Sequence, residues 1–241
     1  MKNILQEQFA TVQNILGIAK ILSIRFSDAK TGDYREYQDS ACTVLARCFR
    51  NDVAVYIDRE VGQICEGGNY FLGITDPEPK EIIGTYVEEE QIFKNASACS
   101  KFLEELPKYP DTARKRYILF TPFSQEKAQP DVVMLLVNPA QAGRILGLGA
   151  YETLSSPTVF PALSTCASIY APLETGRIHL NFIDYYDRYY QGRQDGKSLW
   201  NDSQMIVSMT YAMFKKVVEA IPLSSHGSFK TSLEPKTFER I

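Results

Sequence analysis

The run DVVMLLVN, residues 131–138, constrains the fold more than any other stretch of the chain. Six apolar residues follow one another here, without the apolar–polar alternation of a strand that has one solvated face. A strand of this kind needs cover on both faces. Asn138 can cap, and Pro139 can occupy the first turn of, a helix that continues as AQAGRILGL. The run therefore predicts a buried strand that leads directly into a helix.

Predicted helices and strands alternate along the rest of the chain. Helices are predicted over 3–16, from a cap at Asp39 or Ser40 through Phe49, and over EEEQIFKNASACSKFLEEL. Strands are predicted for ILSIRFSD, VAVYID, EIIGTYV, RYILFTPF and RIHLNFI, and SQMIVSMTYAMFKKVVEAI reads as a strand followed by a helix. This order predicts an α/β or α+β fold, with a mixed sheet covered by helices. Since no repeat and no linker interrupts it, we expect a single domain over 1–241.

The charge and the opening segment exclude several kinds of partner. The net charge is -3, from 26 basic and 29 acidic residues mixed along the chain, which favours no nucleic-acid partner. The start, MKNILQEQFATVQNIL, lacks the uninterrupted apolar core of a signal peptide, and no apolar run of 18 residues follows. These observations predict a cytoplasmic protein without a membrane partner.

Five cysteines are spread over the chain, an odd number that speaks against a disulfide framework. Cys42 and Cys48 lie six residues apart on a predicted helix, about 240° around it, so they point to different sides. Cys99 falls on the apolar stripe of another predicted helix. Without any Cys-x-x-Cys pair, a metal site would have to be assembled from distant segments.

Cys65 stands out because glycines and a predicted helix start follow it, in QICEGGNYFLGI. Gly67 and Gly68 can expose backbone amides, and a thiol at a helix N-terminus has its anion stabilised by the helix dipole. Such a thiol has its pKa lowered from about 8.5 toward a range of roughly 3.5 to 7.5. Cys65 is therefore a candidate nucleophile or ligand, and the alternative is a buried free thiol in a tight turn.

Other candidate binding residues lie elsewhere in the chain. Asn138 stands where ligands of open α/β sheets gather, and a simple cap is the alternative. Arg188 lies in DYYDRYYQGR, a cluster suited to a planar anionic ligand or to a subunit contact. His179, in a predicted strand, forms a cysteine–histidine dyad only if the fold brings it near Cys65 or Cys166.

Four motifs, taken in order, resemble the prokaryotic family catalogued as domain of unknown function 169. They are ACTVLARC with Cys42; ICEGGNYFLGI with Cys65, Gly67, Gly68, Leu72 and Gly73; PDVVMLLVNP with Pro130, Asp131, Val132, Asn138 and Pro139; and STCA with Cys166 and Ala167. The resemblance runs from about Leu16 to Ile221, or about 16–221. Glu66 stands where the pattern usually has proline. The resemblance implies a shared fold and no particular activity, and it separates Cys42, Cys65 and Cys166 from Cys48 and Cys99.

Three thiols from separate segments can hold an iron-sulfur cluster or a soft metal, or can line a pocket as small buried residues. Our leading hypothesis is a cytoplasmic protein that binds a small molecule or metal cofactor, with a pocket formed by Cys42, Cys65, Cys166, Gly67–Gly68 and Asn138. One alternative is an enzyme that uses Cys65 as a nucleophile or redox thiol. Another is an interaction or assembly protein, a homo-oligomer joined through its tyrosine-rich segment. The sequence does not decide whether the chain is an enzyme.

Overall fold

A computed structural model describes residues 2–37, 39–62, 65–74, 79–107, 109–110, 114–152, 157–160, 165–191, 193–194 and 197–228. Its helices are α1 (Lys2–Leu16), α2 (Ala41–Asn51), α3 (Glu66–Phe71), α4 (Pro79–Gly84), α5 (Ala96–Glu105), α6 (Pro139–Gly149), α7 (Ala171–Thr175) and α8 (Tyr211–Ala220). Its strands are β1 (Ile21–Ser27), β2 (Arg35–Glu36), β3 (Val55–Asp58), β4 (Tyr117–Pro122), β5 (Val132–Val137), β6 (Thr158–Phe160), β7 (His179–Asn181), β8 (Arg193–Gln194), β9 (Lys197–Ser198) and β10 (Met205–Thr210).

Eight of these strands form one sheet, in the order β2-β3-β4-β1-β5-β10-β7-β6, and β8 pairs with β9 separately. The outermost pairs, β2 with β3 and β6 with β7, are parallel. The inner pairs are antiparallel; β5, for example, lies between β1 and β10. The sheet is therefore mixed and open, an α+β fold, and the predicted fold class is confirmed.

Helices cover both faces of the sheet, as the apolar character of β5 predicts. Alternate residues of β5 enter two different cores, Val132 and Met134 on one side and Val133 and Leu135 on the other. The first core packs against α2, α3, α4 and α5, and we call this side the α2 face. The second packs against α1, α6 and α8, and we call it the α1 face. Because successive strand residues point to opposite faces, one continuous apolar run supplies both cores.

Local capping signals place most helices where the sequence predicts them. Ser40 caps α2, and its side chain accepts a hydrogen bond from the Thr43 amide. Asn138 caps α6 in a reciprocal pair with Gln141, and Pro139 follows in the first turn. Each cap satisfies backbone amides that a helix start would otherwise leave without acceptors.

Two local predictions on the α2 face are wrong. EIIGTYV, predicted as a strand, belongs to α4 and to a π-helical turn over Thr85–Glu89. The buried residues Ile82 and Tyr86 are four positions apart, a helical spacing that a short apolar run conceals. The helix predicted over EEEQIFKNASACSKFLEEL begins only at Ala96, because Asn95 caps it.

Candidate functional site

Three cysteines from separate segments come together on the α2 face. Cys42 lies in the first turn of α2, Cys65 caps α3, and Cys166 directly precedes a short 3-10 helix over Ala167–Ile169. Burial raises the pKa of the Cys42 thiol, and the charges of Asp187, Cys166 and Cys65 raise it further. The three thiols that the family resemblance groups together are thus neighbours, and Cys48 and Cys99 are not among the main influences on their pKa values.

Carboxyl groups complete the cluster. Asp187 is a neighbour of Cys42 and of Asp184. Glu90 follows the π-helical turn, and its charge acts on Cys65. We call the set of Cys42, Cys65, Cys166, Tyr86, Glu90, Asp184 and Asp187 the thiol–carboxylate site.

The site has a buried end and an accessible end. Cys42, Tyr86 and Cys166 are buried, whereas Cys65 and the three carboxyl side chains are partly exposed. Solvent or a small ligand therefore meets carboxyl groups before it meets the deeper thiols.

Two π-helical segments shape this site. The first, Thr85–Glu89, carries Tyr86 and is followed by Glu90; the second, Asp187–Gln191, begins at Asp187. The π-helix is rare and occurs frequently at functional sites, because the wider turn displaces side chains from their ordinary helical positions. Both segments supply side chains to the same cluster, Tyr86 from the first and Asp187 from the second.

The packing of α3 depends on the glycine that follows Glu66. A Cβ atom at Gly67 would overlap the hydroxyl group of Tyr86, so only glycine lets that hydroxyl lie against the helix. Gly68 is also buried, and its amide donates a hydrogen bond to Cys65 Sγ over 3.3 Å. The two glycines therefore act differently: Gly67 allows close packing against Tyr86, and the amide of Gly68 donates to the thiol of Cys65.

The pKa of Cys65 is shifted in the opposite direction to the one that its helix position predicts. The amides of Gly68 and Gly67 do lower it, but burial raises it more, and the charges of Asp187 and Glu90 raise it further. The balance raises the pKa of Cys65 to about 11. Because α3 has only six residues, its capping amides do not outweigh the desolvation of the thiolate.

The other acidic groups are shifted in the same sense. Burial, followed by the charge of Asp184, raises the pKa of Asp187 to about 8. Burial and the charge of Asp184 raise the pKa of Glu90 to about 7. Asp184 accepts hydrogen bonds from the amides of Tyr186 and Asp187, at 2.8 Å and 3.0 Å. Because its pKa is about 8, Asp187 retains its proton near neutral pH.

The described cationic side chains have no leading part in the electrostatics of the site. Within the described ranges, no lysine, arginine or histidine is among the main influences on the pKa values of its thiols, Asp187 or Glu90. The Oε2 atom of Glu90 is buried and has no hydrogen-bond partner among the described residues. Proton uptake is one way for the folded protein to limit the cost of burying these groups.

The side chains as they stand do not form a ready metal site. In the part of the chain that the structure describes, no three or more His, Cys, Asp or Glu side chains are arranged so that they could hold a metal ion. Binding of a soft metal or an iron-sulfur cluster by Cys42, Cys65 and Cys166 stays a prediction.

Two other predicted binding residues have structural contacts. Asn138 caps α6, a helix of the α1 face, whereas Cys166 belongs to the core of the α2 face. Arg188 is buried, and its guanidinium donates to the backbone carbonyls of Asn201, Phe182 and Gln204. These contacts make Asn138 and Arg188 supports of the fold, and their roles in ligand binding stay predictions.

Sequence reasoning missed Tyr86 and Glu90 as members of the site, and it did not connect Asp187 with the cysteines. A helical reading of EIIGTYVEEE would have placed Ile82, Tyr86 and Glu90 on one stripe, four residues apart. No sequence signal connects Asp187 with Cys42, since their contact spans most of the chain.

These observations define a class of protein: an α+β fold with an open sheet, which carries a partly buried cluster of thiols and carboxyl groups on one face. A family model matches residues 5–220, and the chain belongs to that family, domain of unknown function 169, described as uncharacterised ArCR. The predicted family is therefore confirmed. Comparison with curated proteins and with solved structures finds no match. Across the described residues, no helix combines the length and apolar character needed to cross a membrane.

Proposed function

We propose that this protein binds a small cationic ligand at the thiol–carboxylate site. The observation that carries the proposal is the imbalance of charge: acidic groups are held together with raised pKa values, and no cationic side chain is among their main influences. A cation that enters such a site replaces protons, since a nearby positive charge favours the ionised carboxylate and thiolate. Binding and proton release are therefore coupled.

The layout of the site supports a ligand with a charged end and a less polar body. Glu90, Asp184 and Asp187, at the accessible end, would take the charge, and Glu90 Oε2 still has an unfilled acceptor position. The ring of Tyr86 stacks on Phe71, at 6.4 Å between centroids, and offers an aromatic surface in the buried part. An aromatic ring beside carboxylates suits an organic ammonium group.

A site that contains thiols can accept either a soft metal ion or an organic cation. What the two ligands share is their positive charge. A soft metal would have to draw the thiols into a new arrangement and remove their protons. An organic cation would leave the thiols protonated. An enzyme that uses Cys65 as a nucleophile receives less support, because a pKa of about 11 leaves little thiolate at neutral pH.

Calorimetric titration at pH 7 tests the proposal with two probes, Zn²⁺ and 1,4-diammoniobutane, and with Mg²⁺ as the hard-ion control. We expect saturable binding of one probe, with proton release revealed by buffers of different ionisation enthalpy. Asp187→Asn is expected to weaken it by about tenfold or more. The matched control is Asp202→Asn, an exposed residue hydrogen-bonded to Tyr189.

The variants Cys65→Ser and Cys166→Ser separate the two kinds of cation. If Zn²⁺ binds and both substitutions weaken it, the ligand is a soft metal. If the diammonium ion binds and only Asp187→Asn weakens it, the ligand is organic. Iron together with broad absorbance near 400 nm in protein purified without oxygen would identify a cluster instead. If neither cation binds, or if Asp187→Asn has no more effect than Asp202→Asn, the proposal is wrong.

A second candidate function, assembly with another copy of the chain, is favoured by one surface. Phe182, Tyr185 and Tyr189 are 49%, 70% and 37% exposed, and the two tyrosine rings lie 4.7 Å apart between centroids. Exposed aromatic side chains are enriched at protein interfaces. Light scattering at micromolar concentration tests this candidate; a monomer would exclude it, and a dimer should dissociate in a Tyr185→Ser variant.

We place this function in the cytoplasm. All five cysteines are free thiols, which supports a reducing compartment.

A further inference from the structure

A cavity of 410 Å³ opens near the C-terminal end of α2. It lies on the α2 face at the opposite end of that helix from Cys42, about 12 Å away along the helix axis at 1.5 Å per residue. Phe49 and Trp200 form its apolar floor, with their rings in edge contact at 6.3 Å between centroids. A volume of this size is within the range of small-molecule sites, roughly 300 to 1,000 Å³.

The polar groups of this cavity are mainly hydrogen-bond donors. Lys20 and Arg50 bring positive charge, and Asn201 and Gln204 bring side-chain amides. The orientation of both amides is set by the backbone: Asn201 Oδ1 accepts from the Ser203 amide at 3.0 Å, and Gln204 Oε1 accepts from the Asn201 amide at 2.7 Å. The oxygens are thus engaged, and the amide nitrogens remain as donors without an acceptor among the described residues.

The hydrogen-bond acceptors described in the cavity wall already have partners within the protein. The Ser198 hydroxyl lies within hydrogen-bond distance of the carbonyls of Arg188 and Trp200, to either of which it can donate its one proton, and it accepts from the Trp200 amide. Lys20 forms an ion pair with Asp52 at 2.6 Å, but Asp52 does not line the cavity. One of the two lining cations, Arg50, is left with no ion pair in the described part of the chain. The balance of charge and of free donors therefore favours an anionic ligand.

We propose that this cavity binds a small organic anion that has an apolar body, with a carboxylate as the simplest charged group. The anion lies between Arg50, Lys20 and the two amide donors, because a charged acceptor gains most from donors that are already oriented. The apolar body lies on Phe49 and Trp200. This site differs from the thiol–carboxylate site in position and in the charge of its ligand, so it does not depend on the proposed cation binding.

Trp200 gives the test a direct signal, because it is the only tryptophan in the chain. Benzoate is the probe; benzamide, which has a similar shape without the charge, and benzylamine, which carries the opposite charge, are the controls. We expect a saturable change in tryptophan emission with benzoate, and binding about tenfold weaker or more for benzamide. Benzylamine should produce no saturable change.

Variants assign the binding to this cavity. Arg50→Gln is expected to weaken benzoate binding about tenfold and Lys20→Gln by less, since Asp52 already engages Lys20. Lys216→Gln, at an exposed position of α8 on the opposite face, is the control for loss of one positive charge. The proposal is overturned if benzoate and benzamide bind equally, or if no saturable change occurs up to about 10 mM benzoate. It is overturned equally if Arg50→Gln and Lys216→Gln behave alike. An Asp187→Asn variant that binds benzoate normally would show that the two sites are separate.

Discussion

The two faces of the sheet are built in different ways. On the α1 face, three helices of 10 to 15 residues cover the sheet with aliphatic and aromatic side chains. On the α2 face, the helices over residues 66–71 and 79–84 have only six residues each, and two π-helical segments, three thiols and three carboxyl groups meet among them. The α1 face is therefore built from regular helix packing, while the α2 face combines a core with a chemically distinct cluster of side chains.

The largest effect is expected from the α1 face, where packing has no competing task. Phe214 is fully buried and meets Phe123 at 5.2 Å between ring centroids. Phe214→Ala should lower the free energy of unfolding by about 3 to 5 kcal/mol, because it leaves a cavity. Chemical denaturation measures the loss, and Phe214→Leu should cost less. The two faces do not differ in the way described if Phe214→Ala, in protein that is still folded, weakens cation binding as strongly as Asp187→Asn does.

A smaller loss is expected from Gly67→Ala, on the α2 face. The added methyl group overlaps the hydroxyl group of Tyr86, and overpacking of this kind costs about 1 to 3 kcal/mol. Tyr86→Phe removes the hydroxyl, so Gly67→Ala should cost less in a Tyr86→Phe background than alone, as measured in a double-mutant cycle. Additive effects of the two substitutions would show that the contact does not determine the packing here.

Stability should depend on pH through Asp187. Its pKa in the folded protein, about 8, is above the ordinary value of 3.8, so the folded state holds a proton that the unfolded state has lost between these values. Stability is therefore highest at the acid end of this window and falls as pH rises through about 8, with a slope of at most about 1.4 kcal/mol per pH unit. Glu90 contributes in the same direction up to about pH 7.

Denaturation curves from pH 5 to pH 8 measure this slope. Asp187→Asn should flatten it and should stabilise the protein at pH 8 relative to the parent chain, while Asp202→Asn should leave it unchanged. An equal slope in the parent chain and in Asp187→Asn would show that Asp187 is already ionised.

The smallest effect, one of rate alone, concerns Cys65. Because its pKa is raised to about 11, we expect alkylation by iodoacetamide at pH 7 to be about two orders of magnitude slower than that of an exposed free cysteine. The rate should increase about tenfold per pH unit up to pH 9. Above about pH 8, where Asp187 is ionised, Asp187→Asn should speed the reaction by removing a neighbouring negative charge. Cys65→Ser identifies the signal by mass spectrometry. Rapid labelling at pH 7 would favour the alternative hypothesis that Cys65 is a thiolate nucleophile.

The regular elements were predictable where local chemistry decides them. The buried strand β5 and the capped helix α6 follow from VVMLLV and Asn-Pro, because side-chain burial and capping act within a few residues. EIIGTYV was predicted wrongly, since a short apolar run suits a strand as well as a buried helix. The π-helical turns have no such local signature, so nothing in the sequence showed where they lie.

The sequence by itself determined the alternation of helices and strands, the two-sided burial of β5, the position of Cys65 at a helix start, and, through family motifs, which three cysteines belong together. Only the tertiary structure decided that Asp187 and Glu90 join those cysteines, that Asn138 caps a helix on the other face, and that the pKa of Cys65 rises. The physical reason is the distance along the chain over which each kind of interaction acts. Capping and periodicity depend on neighbours in the chain, whereas desolvation and charge interactions depend on neighbours in space.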